Sequence, residues 1–281
     1  MGDFLLQQEP MIRLGFFLGI LAALAIAELA APRRRQEIPR VVRWSNNLGL
    51  VIVDTILLRL TFPLVAVGLA LIADDQDWGL FNIFEIPAWI AFLIAVLAFD
   101  LAIYLQHVMF HAVPVLWRLH RMHHADLEFD VTTGLRFHPV EILISMGIKL
   151  ALVLVLGPPA AAVLVFEILL NATSMFTHSN LRLPTGVDRV LRWIVVTPDM
   201  HRVHHSIRRE ETDSNFGFNL PWWDRLLGTY RAQPRDGHEG MTLGIEQFRT
   251  PRDLWLDRML LQPLRGPAHG RTRPDAANQA Q

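Results

Sequence analysis

The sequence predicts an all-α fold: a polytopic membrane protein with four or five transmembrane helices and a cytosolic helical cap. Three observations predict it. Of 281 residues, 52% are hydrophobic and only 19% are charged, a balance too apolar for a water-soluble domain of this size. Apolar runs recur along the chain, several of them long enough to cross a hydrocarbon core of about 30 Å. The 12 histidines gather in short clusters between and after those runs. A net charge of −1 gives no electrostatic reason to expect nucleic acid as a partner. The absence of cysteine rules out disulfides and thiolate sites, so any metal must be held through nitrogen and oxygen.

The first run, residues 14–31, follows Arg13 and ends at Pro32 and Arg33-Arg34-Arg35. Its basic cluster lies after the apolar stretch, which marks a span rather than a cleaved signal peptide. Residues 48–73 and 86–106 give a second and a third span. Residues 140–156 and 160–176, separated by Gly157-Pro158-Pro159, form a helical hairpin or one broken span. The loop at 73–85 carries Asp74, Asp75, Asp77 and Glu85 without Lys or Arg, whereas 33–43 and 118–136 are basic. The positive-inside rule therefore puts the basic segments in the cytoplasm and the amino terminus outside, with the histidine clusters on the cytoplasmic face. Charges within the spans call for partners. Asp54 and Arg59 are expected to pair, and Asp100 shares a helix face with His107, seven residues on.

Three regions follow. Residues 1–45 are an N-terminal span and basic cytosolic segment, 46–230 carry the remaining spans and most of the histidines, and 231–281 are a C-terminal interfacial segment and flexible tail. Within the last, residues 253–261 present Leu254, Trp255, Leu256, Met259 and Leu260, as an interfacial helix or as packing against the cap. The polar end, 271–281, is expected to be disordered.

His107 and His111 are four residues apart at the end of the third span, a weak signal alone. His120, His123 and His124 spell H-x-x-H-H, and His201, His204 and His205 spell it again. On a helix, such spacings converge on one face and supply two or three nitrogen donors to adjacent metals. Eight imidazoles suit two ions. Imidazole serves zinc, copper, iron and nickel alike. No H-E-x-x-H helix of a zinc hydrolase is present, and a redox-active pair of irons fits better.

The clusters also carry a family resemblance. His107-Val-Met-Phe-His111, His120-Arg-Met-His123-His124, Arg136-Phe-His138-Pro139, Phe176-Thr-His178-Ser-Asn180, Thr197-Pro-Asp-Met-His201-Arg-Val-His204-His205 and Trp223-Asp-Arg-Leu-Leu-Gly-Thr-Tyr230 resemble the motifs of the sterol desaturase and fatty acid hydroxylase superfamily, from about Asn46 to Tyr230. The resemblance implies a membrane stalk, a histidine-bearing cap, a di-iron centre and O2-dependent hydroxylation or desaturation of a lipid. Carried over residue by residue, it implies His107, His111, His120, His123, His124, His201, His204 and His205 as metal ligands, with His178 a ninth. Ser174 stands where some members place a further histidine. His138 is expected as a ligand or a supporting donor.

Ligating histidines give their other N–H to a carboxylate or carbonyl, for which Asp100, Asp199 and Glu141 are candidates, Asp199 being equally suited to cap the helix before Met200. Asn215-Phe216-Gly217 and Trp223-Asp224-Arg225 suit either a folded lid or packing of the cap, and packing is the favoured reading. Neither haem nor flavin is expected in the chain, so electrons must come from an external donor, a reductase, ferredoxin or cytochrome. The lipid substrate itself is not specified by these motifs. The contrasting reading is a non-catalytic membrane protein that binds metal, or carries haem for electron transfer.

Overall fold

The structure is a computed structural model, and it describes residues 2–62 and 64–266. The expected disorder at 271–281 lies outside the described residues. In chain order the helices are α1 Gly2–Ala30, α2 Arg40–Thr61, α3 Ala66–Asp75, α4 Leu80–Ile83, α5 Ala88–Ala112, α6 Pro114–His124, α7 Pro139–Leu156, α8 Ala160–Thr177, α9 Thr185–Leu191, α10 Pro198–His204, α11 Arg209–Thr212, α12 Trp222–Leu226, α13 Gly237–Gly240 and α14 Leu256–Leu261. Among the described residues there is no strand, only two isolated bridges, Pro32 with Leu181 and Ser206 with Leu243.

Among the described residues, five helical stretches are long and apolar enough to cross a membrane: Gln7–Ala30, Arg40–Ile83, Ala88–Ala112, Pro139–Leu156 and Ala160–Thr177. The chain is an integral membrane protein. The second span is not the single helix that its hydropathy suggests. Phe62, at φ −119° and ψ 95°, precedes a proline, whose ring disfavours the helical conformation in the residue before it. α2 therefore stops at Thr61 and α3 restarts at Ala66, packing on α7 and α8.

The Pro-rich segment makes a true hairpin. Gly157 ends α7 in the left-handed region, at φ 62°, and a β-carbon there would meet the Trp78 carbonyl at 2.1 Å, so only glycine admits this close approach. The bundle core uses small residues, Ala66 and Ala70 of α3, Ala91 and Ala95 of α5 and Ala162 of α8, around Phe99 stacked on Phe166 at 5.1 Å. Small side chains let helices approach closely in a membrane, where packing rather than water expulsion drives association.

Ion pairs stitch the spans. Glu167 accepts from Lys149 at 2.6 Å and Arg13 at 2.8 Å, joining α8 to α7 and α1. The expected pairing of Asp54 with Arg59 is not formed. Asp54 is buried while Arg59 is exposed, because five residues of helix put them on divergent faces.

The carboxyl ends of α1, α5 and α8 and the amino ends of α2 and α7 gather at one end of the bundle, where the cap sits. Arg43 of α2 reaches Asp126 at 2.8 Å and also Asp130, and Ala31 accepts from the backbone of Arg182 at 2.8 Å. In the segment 253–261, Leu254 and Met259 are fully buried, with Met259 against Leu50 and Met122. It packs on the cap and α2 rather than lying on the surface, although Trp255 and Leu261 are exposed.

Candidate metal centre

Each histidine cluster is delivered by the end of a helix. α5 brings His107 and His111 to the cap in its last turns. α6 opens with Pro114, suited to a first helical position, and closes on His120, His123 and His124. His178 is the residue that caps α8. α10 begins after Thr197, whose hydroxyl accepts from Met200 N at 3.3 Å, and it carries His201 and His204, with His205 at its end. Thr197, not Asp199, is therefore the N-cap.

All nine side chains are buried, between 0 and 6% exposed. They resolve into two groups: His107, His111, His120, His124 and His204 in one, His123, His178, His201 and His205 in the other, with the donor atoms of each group lying within 4.8 Å of one another. In the first, Nε2 of His107 lies 3.0 Å from those of His120 and His204, and Nε2 of His124 lies 3.1 Å from that of His111. In the second, Nε2 of His178 lies 3.0 Å from those of His123 and His201 and 3.2 Å from that of His205.

Two nitrogens about 2.1 Å from an ion, at right angles to each other, stand about 3.0 Å apart. The observed contacts therefore match the edges of metal coordination shells, and each group can hold one ion. Burial pushes the imidazoles of His120 and His178 down to about 3. Burial, and then crowding by neighbouring imidazoles, drives His123, His124, His201, His204 and His205 well below their ordinary value. The rings are thus neutral, the form that binds metal.

With the Nε2 lone pairs turned inward, Nδ1 carries the proton, and in six of the nine rings it donates outward. His120 donates to Glu141 Oε1 at 2.7 Å and His111 to Asp213 Oδ1 at 3.3 Å. Backbone carbonyls take others: Phe216 O from His107, Ser174 O from His178 and Ser214 O from His204, all at 2.7 Å, and Arg136 O from His123 at 3.2 Å. Such partners fix ring orientation and tautomer. Aromatic rings close over the donors: Phe137 stacks on His123 at 4.5 Å, Trp117 lies 4.8 Å from His111, and Phe218 lies 5.0 Å from His107.

Among the described residues, no hydrogen bond joins Asp100, Asp199 or His138 to any of the nine. Asp100 accepts from Asn219 Nδ2 and Trp223 Nε1, both at 2.8 Å. Asp199 pairs with Arg33 and Arg202. His138 caps α7, its Nδ1 accepting from Val140 N at 3.2 Å, while Nε2 faces Leu260 O. These three lie near the histidines in sequence, but their side chains bond to other partners.

The segment read as packing does more. Asp224 accepts from the backbone of Phe216 at 2.8 Å and of Gly217 at 2.9 Å, holding the loop whose Phe216 carbonyl receives His107. Backbone carbonyls leave no trace in a sequence, and Asp213 was missed because nothing marks an acid on a loop as facing a histidine.

Comparison with known proteins places these residues in context. The family model described as "Fatty acid hydroxylase" matches residues 92–229, the stretch holding all nine histidines. The chain is 33% identical over 136 residues to the ornithine lipid hydroxylase OlsE of Rhizobium tropici, covering 48% of this chain and 40% of that protein. It is 30% identical over 177 residues to the alkylglycerol monooxygenase of Homo sapiens, covering 61% of this chain and 38% of the relative. It is also 28% identical over 145 residues to the human cholesterol 25-hydroxylase, covering 50% and 51%. The matches thus span about two fifths to a half of the relatives' lengths. No solved structure gives a significant match.

Proposed function

Because the chain belongs to the fatty acid hydroxylase family, we propose that it is an O2-dependent membrane lipid hydroxylase whose nine histidines hold two iron ions. The observation that carries this reading is the convergence of five and four buried ring nitrogens. Iron bound there would supply the oxidising power to cleave an unactivated C–H bond with O2 as oxidant. Hydroxylation is favoured over desaturation, since the relatives are named as hydroxylases and monooxygenases.

The chain's own residues supply the setting. His120, His123, His124, His178, His201, His204 and His205 stay neutral and keep their lone pairs available. Glu141 and Asp213, with the carbonyls of Arg136, Ser174, Ser214 and Phe216, hold the rings in register. Phe137, Phe216, Phe218 and Trp117 exclude water around the donors, which keeps an oxidising site from reacting with solvent.

The balance R–H + O2 + 2 e⁻ + 2 H⁺ → R–OH + H2O needs two electrons from outside, so a separate reductase, ferredoxin or cytochrome is the proposed partner. The proposed substrate is a membrane lipid, reached from the bilayer, and the proposed catalytic domain is 46–230, with the cap in the cytoplasm. Support for that orientation comes from the acidic loop at the far end of the bundle and the arginines at the cap end. The haem-carrier reading finds no support, because ring nitrogens 3.0 to 3.2 Å apart leave no slot for a porphyrin between them.

The test is incubation of the iron-loaded protein in lipid nanodiscs with a chemical reductant and isotopically labelled O2. Label in a lipid hydroxyl supports the proposal. Lipids unchanged across bacterial and animal extracts, despite bound iron, would overturn it.

A further inference from the structure

One surface of the cap is apolar and yet belongs to no core. Trp193, Ile194, Leu226 and Leu227 are between 55 and 74% exposed, Val190 is 62% exposed and Trp222 42%. They form one patch. Trp222 Nε1 donates to the Trp193 carbonyl at 2.7 Å, and the Arg225 guanidinium stacks over the Trp193 ring at 3.9 Å while donating to Arg192 O at 3.0 Å.

Four contacts fix the depth of this patch. Trp223, beside Trp222 in α12, donates to Asp100 at 2.8 Å, and Asp100 lies midway along α5, about 10 Å of helix rise before His107. Asn219 also donates to Asp100, at 2.8 Å, and accepts from Thr173 of α8. Thr229 meets the Tyr104 hydroxyl of α5 at 2.9 Å. All the anchors lie on spanning helices, on the membrane side of the histidines. Between residues 181 and 195 the exposed charges are Arg182 and Arg189, while Asp188 is buried and bound to Arg192 at 2.7 Å.

We propose that α9, Trp193-Ile194 and α12 form an interfacial platform inserted into the cap-side leaflet, with its apolar side chains among the acyl chains and Arg182 and Arg189 against lipid phosphates. An apolar and aromatic face bordered by arginine at this depth fits the boundary between headgroup and acyl chain. The platform is continuous with the loop whose Phe216 carbonyl holds His107, so it sets the height of the histidines relative to the leaflet. It does not depend on which metal is bound or which reaction follows.

The absence of cysteine makes the test clean. Single variants Val190→Cys, Ile194→Cys and Leu226→Cys carry a nitroxide label in nanodiscs of zwitterionic and anionic phospholipid, and collision with O2 is compared with collision with a water-soluble nickel reagent. Leu97→Cys on α5 gives the lipid reference and Glu239→Cys the aqueous one. The platform predicts an O2-to-nickel ratio severalfold above that of Glu239→Cys and close to that of Leu97→Cys at all three sites. Ratios matching Glu239→Cys would put the face in water and overturn the proposal. Labels shielded from both reagents would mean that a protein, such as a second copy of the chain, covers it, and would overturn it equally.

Discussion

His120 and Glu141 face each other across the seam between cap and membrane bundle, the ring Nδ1 donating to the carboxylate at 2.7 Å with both groups buried. His120 is a donor in the larger histidine group, so Glu141 controls the direction of its lone pair. Glu141→Ala is expected to lower metal affinity or activity about 10- to 100-fold, whereas Glu141→Gln, which keeps an acceptor, loses less. Metal titration of both variants checks this ordering.

Gly134 supports the second group through its backbone. A β-carbon there would stand 2.4 Å from the Ser174 carbonyl, the acceptor for His178 Nδ1. Gly134→Ala is expected to displace that carbonyl and weaken the smaller group, while Gly147→Ala, where nothing lies within 4 Å, is expected to be silent. Metal content of the two variants separates them.

The bundle itself was legible and its interruptions were not. Apolar runs near residues 14–31, 86–106, 140–156 and 160–176 announce spans because length and hydropathy together leave little choice. The stop at Thr61 depends on a single proline inside an otherwise apolar run. The two H-x-x-H-H repeats announce six of the nine donors, and with the weaker pair His107 and His111 and the resemblance-implied His178 the whole set was legible. What orients them was not, because Phe216, Ser174, Ser214 and Arg136 act through carbonyls that every residue possesses. Asp100 shows the limit of helical periodicity. It shares a face with His107, yet its partners Asn219 and Trp223 come from a segment more than a hundred residues away.

Arg43 is wholly buried between Asp126 and Asp130. Burial alone would raise the Asp126 carboxyl, but Arg43 and Arg136 hold it below its usual value. Removing the guanidinium strands buried carboxylates, so Arg43→Met is expected to destabilise the protein by about 3 to 5 kcal/mol. Unfolding in mild detergent measures it.

His238 offers a pH signature away from the donors. Burial lowers its imidazole to about 4 against the opposing pull of Asp199, whereas in the unfolded chain it protonates near pH 6.5. Between those values the unfolded state binds the extra proton, so stability falls as pH drops from about 6.5 toward 4. His238→Gln is expected to show a smaller loss of unfolding temperature between pH 7 and pH 5 than the wild type.

The most direct measurement is the metal content of the detergent-purified protein after anaerobic iron loading, taken with an optical spectrum and repeated on His123→Ala and His204→Ala, one variant from each group. Two irons per chain without a Soret band, with iron lost in both variants, is the predicted result. Retention of no iron by the wild type, or a haem spectrum, would contradict it.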